Sequence, residues 1–177
     1  KKPGLHIIYA GRMSSEKNHE FILKVFKEIH NKYKEARLVL IGDGYLKESL
    51  INKVEEMGLS SFVLFTGVRH DVADLLSAMD VFIFPSIHEA LPISLIEAQA
   101  SGLMCVVSDN ITTEIDVTSN IKFLSLDEDI KYWAEAVMKG TEIIRTDMSE
   151  PMLKSGFDIH DTVMELQEIY CLLANCN

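Results

Sequence analysis

Six short, nearly unbroken apolar runs are spaced along the chain, at residues 6–10 (HIIYA), 38–41 (LVLI), 62–66 (FVLFT), 81–84 (VFIF), 105–107 (CVV) and 121–124 (IKFL). Runs of this length without polar alternation are the pattern of strands covered on both faces. Between them, apolar residues recur at helical spacing. Phe21, Ile22, Val25, Phe26 and Ile29 mark a helix over 19–33, and Leu46, Leu50, Ile51 and Val54 mark a second. A third covers 71–79 and a fourth follows Pro92. A fifth, with Trp133, Ala136 and Val137, covers 128–145. Val163, Leu166, Ile169, Tyr170 and Leu173 mark a last helix over 160–177. Such alternation leaves few folds open. It predicts an α/β domain: a doubly wound parallel sheet of about six strands, with right-handed crossovers and helices on both faces. One domain over residues 1–177 is expected, and a hydrophobic share of 47% is enough to fill its core. The stretch 146–160 (TDMSEPMLKSGFDIH) reads as the one hinge, between the fifth and last helices.

The net charge of −10 argues against nucleic acid or an anionic membrane as the main partner, but not against a small anion held locally. No apolar run approaches the roughly 18 residues of a membrane span. The chain opens on Lys1, Lys2, Pro3 and Gly4, with neither an initiator methionine nor a signal peptide, which reads as a piece of something longer. The three cysteines, Cys105, Cys171 and Cys176, form no C-x-x-C pair and no zinc spacing. Cys105 lies in an apolar run and is expected as a buried small hydrophobe. A reducing, cytoplasmic setting is the simplest reading.

In a sheet of this kind ligands bind outside the carboxyl ends of the strands, so the strand ends are where chemistry is sought. The first ends in AGRMSSEKNHE, where Arg12 and Lys17 bracket a polar loop. The pair suits a doubly charged anion such as a diphosphate, with solvated surface cations an equal alternative. It is not a P-loop: the second glycine is absent, and Asn18 stands where a magnesium-binding Ser or Thr is needed. The second strand ends in IGDGYLKESL. Gly42 and Gly44 let the backbone turn tightly and approach a ligand, but Lys47 occupies the third position of a dinucleotide fingerprint, and a lone G-x-G is more often a turn. The third ends in TGVRHDVADLL. Asp71 is a good N-cap, and Arg69 and His70 either edge a pocket or are exposed loop residues. None of the six histidines stands at metal spacing or in a Ser-His-Asp arrangement.

The fourth strand runs into HEALPISLIEAQASG. Pro92 fits the first turn of a helix, which leaves the amides of Ile93, Ser94 and Leu95 as orphan donors and a ready anion site. Glu89 lies in front of this terminus and Glu97 in the second turn, so two carboxylates flank the anion. Neutral vicinal hydroxyls, as in a sugar or a ribose, are their fitting partners. The alternative for Glu97 is a residue that only favours the helix dipole. A ligand with a ribose, a diphosphate and a sugar would meet every one of these groups.

The ordered set AGR…EKN, LIGDG, FTG, DVFIFPS, HEALPISLIEAQASGL and VVSD resembles the C-terminal domain of family-four glycosyltransferases, which have the GT-B fold. The resemblance runs from about Leu5 to the last helix. It implies that the domain binds a nucleotide-sugar donor, a UDP-sugar in preference to a GDP-sugar, with no cofactor and no metal. A separate N-terminal domain of similar architecture would bind a glycan or lipid-linked acceptor. The implied setting is surface polysaccharide biosynthesis, in the cytoplasm or at the inner face of the membrane. By the same resemblance Arg12 and Lys17, beside Gly11, hold the diphosphate, and the amides near Pro92, Ile93 and Ser94 meet the phosphates. Glu89 contacts the transferred sugar and Glu97 accepts from the ribose. Gly42, Gly44 and Arg69 border the donor. Transfer would proceed with retention, and Arg12, Lys17 and Glu89 would carry it. Two departures stand out. Ala90 replaces the glycine usual after the first glutamate, where its methyl group would crowd the donor. Met104 replaces a proline common after "GL", a packing change. Two alternatives are a non-transferring enzyme resembling a nucleotide-sugar 2-epimerase and a binding module without turnover.

Overall fold

The computed structural model describes residues 4–175, and Cys176, whose role the sequence leaves open, lies outside them. The apolar runs form β1 (His6–Ala10), β2 (Arg37–Ile41), β3 (Val63–Gly67), β4 (Val81–Phe84), β5 (Met104–Ser108) and β6 (Ile121–Leu124). They make one sheet in the order β3-β2-β1-β4-β5-β6, with every neighbouring pair parallel. All four residues of β4 are buried, as are the last four of β1, β2 and β5. The two edge strands differ from the expectation of burial on both faces. Only Val63 of β3 and Leu124 of β6 are buried, because each has a neighbour on one side alone.

The crossovers carry α1 (His19–Lys32), α2 (Lys47–Glu56), α3 (Val72–Ala78) and α4 (Ile93–Ala100), and α5 (Ile130–Gly140) follows β6. Packing α1 against both α2 and α5, and α3 against α4, places helices on both faces. Tyr9 of β1 stacks on Phe82 and Phe84 of β4, with centroids 6.3 and 5.8 Å apart. Phe21 of α1 meets Trp133 of α5 edge-on at 5.1 Å. Trp133 is fully buried, and its indole N–H donates to Ser125 O at 2.8 Å, which fixes the loop that enters α5.

Helix ends depart from the sequence reading more than helix cores. Pro92 is the N-cap of α4 rather than a residue of its first turn. Asp71 does stand at the N-cap of α3, but its carboxylate makes no cap bond, because Arg69 holds it at 2.8 and 2.5 Å. The fifth helix stops at Gly140, five residues before its expected end. Beyond it Arg145 turns back to donate to Leu76 O and Ser77 O near the end of α3 and to Met79 O, its C-cap. The expected hinge contains a short helix, α6 (Ser149–Lys154), ahead of α7 (Ile159–Asn175).

Candidate functional site

The strand order reverses between β1 and β4. Successive strands run outward to β3 on one side and to β6 on the other, so the loops after β1 and β4 diverge and leave a crevice at their carboxyl ends. Four hydrogen bonds tie these loops together. Asn18 Nδ2 donates to Pro85 O at 3.2 Å, the Ile87 amide to Glu16 O at 2.8 Å, and Lys17 Nζ to both oxygens of Glu89 at 2.5 and 2.6 Å. Asn18 has the left-handed backbone (φ 55°) that joins a one-turn 3-10 segment at 15–17 to α1, a conformation asparagine tolerates better than most residues.

The crevice is a cavity of about 320 Å³. Gly11, Arg12, Lys17, Glu89, Pro92, Ile93 and Ser94 line it. These include both cations proposed for a diphosphate and the start of α4. Arg12 is exposed and, among the described residues, has no hydrogen-bond or ion-pair partner. Lys17 and Glu89 are instead paired with each other, their side chains 19% and 9% exposed. Of the three α4 amides expected to be orphans, only that of Ser94 lacks an acceptor among the described residues. Ile93 N–H donates to Leu91 O and Leu95 N–H to Pro92 O. The anion site at this terminus is therefore narrower than its sequence implies.

Sequence reasoning passed over Tyr9, Glu16 and Leu91, which also line the cavity. Tyr9 reads as core by its strand position, and Leu91 as a loop residue. Glu16 is held charged by Ser14, whose hydroxyl donates to it at 2.5 Å and lowers its pKa.

Gly42 and Gly44 do not line the cavity. What they approach closely is protein: a Cβ on Gly42 (φ +125°) would stand 2.1 Å from Gly11 O, and one on Gly44 would stand 2.4 Å from Met13 O. Their lack of a side chain lets the β2 loop buttress the β1 loop, with Gly11 N–H donating to Ile41 O and Met13 N–H to Asp43 O. Arg69 is paired with Asp71 and stands apart from the cavity lining. Glu97 is exposed in the second turn of α4, outside the lining. Ala90 is exposed and has no positive φ, so this backbone does not require the glycine it replaces. A hollow of the same volume opens at the other end of the sheet, around Gly4, Lys32 and Asp80. It lacks a helix start, and strand carboxyl ends, where such folds bind ligands, lie on the opposite edge.

A family model described as "Glycosyl transferases group 1" matches residues 4–141. The chain belongs to this family. It is 35% identical over 170 residues to a putative glycosyltransferase, EpsF, of Bacillus subtilis, covering 94% of this chain and 44% of that protein. It is 30% identical over 168 residues to the Escherichia coli UDP-Gal:alpha-D-GlcNAc-diphosphoundecaprenol alpha-1,3-galactosyltransferase, covering 90% of this chain and 43% of that one. It thus spans less than half the length of these relatives. The crystal structure of Anabaena HepE in complex with UDP-glucose shares the fold, with a TM-score of 0.74 at 16% identity over 97% of this chain and 49% of that one. Group 1 membership and the six-stranded parallel sheet agree with the GT-B half that the sequence resembles. Among the described residues no three His, Cys, Asp or Glu are placed to hold a metal ion. No described helix is long and apolar enough to cross a membrane.

Proposed function

We propose that this domain binds a nucleoside-diphosphate sugar, a UDP-sugar in preference to a GDP-sugar, as the donor half of a retaining glycosyltransferase that needs neither cofactor nor metal. The acceptor is a glycan or a lipid-linked glycan in surface polysaccharide assembly, held by an N-terminal half. One observation carries the reading: the loops at the switch point bring Arg12, Lys17, Glu89 and the Ser94 amide around a single cavity. Arg12, Lys17 and the start of α4 would stabilise charge as it develops on the leaving diphosphate. Glu89, an acceptor-only group, suits the hydroxyls of the transferred sugar, and Glu97 those of the ribose. The names of the E. coli relative and of the HepE complex support the UDP-sugar and the lipid-linked acceptor.

Calorimetric titration tests the reading. UDP should bind equally well with and without EDTA. Arg12→Ala should weaken UDP by roughly 1.5–3 kcal/mol, the scale of a charge-assisted hydrogen bond, and leave uridine unchanged. Glu97→Ala should largely remove the preference for UDP over its 2′-deoxy form. A requirement for metal, or equal losses for UDP and uridine, would reject the assignment.

A further inference from the structure

Resting on the donor-binding reading, a deeper feature of the same site comes from two hydroxyls below the Lys17–Glu89 pair. Tyr9 Oη and Ser86 Oγ belong to residues that are 0% exposed; the two hydroxyls stand near each other, and neither has a partner in good hydrogen-bond geometry. Buried polar groups nearly always have partners, and an orphan in a native core calls for a reason. Tyr9 cannot turn away from this position. Its ring is stacked on Phe82 and Phe84 and meets His19 edge-on at 4.7 Å. Its hydroxyl lies directly beneath the β1 loop, where a Cβ on Gly11 would come within 2.7 Å of it. Tyr9 and Glu89 line one cavity. Burial, and then the charge of Glu89, outweigh the opposing Ser86 hydroxyl and push the phenol well above its ordinary pKa, so it stays a donor.

What this donor lacks is an acceptor. Glu89 is acceptor-only, and in the ligand-free protein both of its oxygens accept from Lys17 and neither from Tyr9. Lys17 is in turn a cation that an incoming diphosphate would claim. The ion pair of the ligand-free protein therefore competes with the ligand. We propose that Tyr9 is a positioning residue for Glu89: as the diphosphate draws Lys17 away, the Tyr9 hydroxyl takes over the carboxylate and keeps it seated to meet the sugar hydroxyls. The exchange removes the orphan donor at the step that breaks the ion pair, so each change offsets part of the cost of the other. Ser86, three residues before Glu89 on the same loop, is a second donor available to it. His19, buried with both ring nitrogens unpartnered and its pKa lowered to about 4 by burial and then by Lys17, stays neutral and does not rival Lys17 for the carboxylate.

Tyr9→Phe isolates the hydroxyl, because it keeps the ring and its stacking and gives up no more than the loose contact with the Ser86 hydroxyl. The protein is titrated with UDP and with uridine as wild type, Tyr9→Phe, Glu89→Ala and the double variant, and each is melted without ligand. Tyr9→Phe should melt at or above the wild-type temperature, bind UDP about tenfold more weakly and bind uridine unchanged. In the Glu89→Ala background the same substitution should change UDP affinity less than twofold, because there is no carboxylate to hand over. A loss of equal size in both backgrounds would mean that Tyr9 touches the ligand itself and would overturn the positioning role. Unchanged UDP affinity in Tyr9→Phe, whether the melting temperature falls or holds, would overturn it too and leave the hydroxyl to packing or to a trapped water. If wild-type protein binds no UDP at all, the donor-binding reading fails first, a result distinct from either of these.

Discussion

Lys17 and Glu89 show how the chain keeps two charges in a partly buried crevice: each is the other's counter-ion until a ligand arrives. Arg12 has no such partner, so it is the group an approaching anion meets first. His19, two residues beyond Lys17, solves the same problem by losing its charge. It is 1% exposed, and burial, reinforced by Lys17, lowers its pKa from 6.5 to about 4. The folded state thus resists protonating His19, while the unfolded chain accepts the proton near pH 6.5. Stability contributed by the neutral ring is present above about pH 6.5 and is lost as pH falls toward 4. The full loss is on the order of 3 kcal/mol, from about 1.4 kcal/mol for each pH unit of displacement. Urea denaturation at pH 7 and pH 4.5 should therefore show a smaller difference in His19→Phe than in wild type. An identical difference in both proteins would place the acid sensitivity elsewhere.

At the scale of elements, the site is two loops braced by a third. The β2 loop has no group in the cavity, yet Gly42 and Gly44 let it lie against the backbone of the β1 loop that carries Arg12. Gly42→Ala would impose a strained φ of +125° and drive a methyl group into Gly11 O at 2.1 Å. It should cost at least about 2 kcal/mol by urea denaturation, and the surviving folded protein should bind UDP more weakly than wild type. A neutral outcome on both counts would mean that the loop relaxes without moving Arg12. The strands were legible because unbroken apolar runs have one use in an α/β domain. Arg12, Lys17, Glu89 and Ser94 were legible because they stand at strand ends. What could not be read was pairing across loops. Nothing in the spacing of residues 17 and 89 announces that they meet, and Gly42 and Gly44 signal close approach without naming what is approached. Helix ends show a similar limit: Asp71 stands at the N-cap as its chemistry suggests, but its carboxylate is taken by Arg69, and Arg145, expected inside the fifth helix, serves another helix's carbonyls. The last helix, α7, was found by its periodicity, but Val163, Leu166, Tyr170 and Leu173 on its apolar face are exposed. Periodicity reveals an apolar stripe and not what covers it.

At the scale of the whole molecule, the charges converge on one edge of the sheet and the crevice opens outward from it. Everything proposed for the donor, from Arg12 to Glu97, comes from loops and helix starts on that edge. Among the described residues, none on that edge is left over to hold an acceptor hydroxyl or take its proton. Tyr9 stays a protonated phenol, Glu16 is held by Ser14, and Glu89 is assigned to the hydroxyls of the donor sugar. In front-face transfer the acceptor must approach the anomeric carbon from the side of the leaving diphosphate, which here is open solvent. The domain should therefore bind a UDP-sugar and transfer it to no acceptor by itself, because the positioning that a second half would supply is worth several kcal/mol of the barrier, up to roughly 7–11. Water needs no such positioning, so slow donor hydrolysis is the only turnover expected. Joined to an N-terminal half from a group 1 relative such as EpsF, which is about twice as long as the aligned region, the same domain should gain acceptor-dependent release of UDP. Arg12→Ala should remove that gain while leaving the two halves folded. Robust transfer by the single domain onto an added glycan or lipid-linked acceptor would show that an acceptor site exists on this edge after all, and that the crevice serves both substrates.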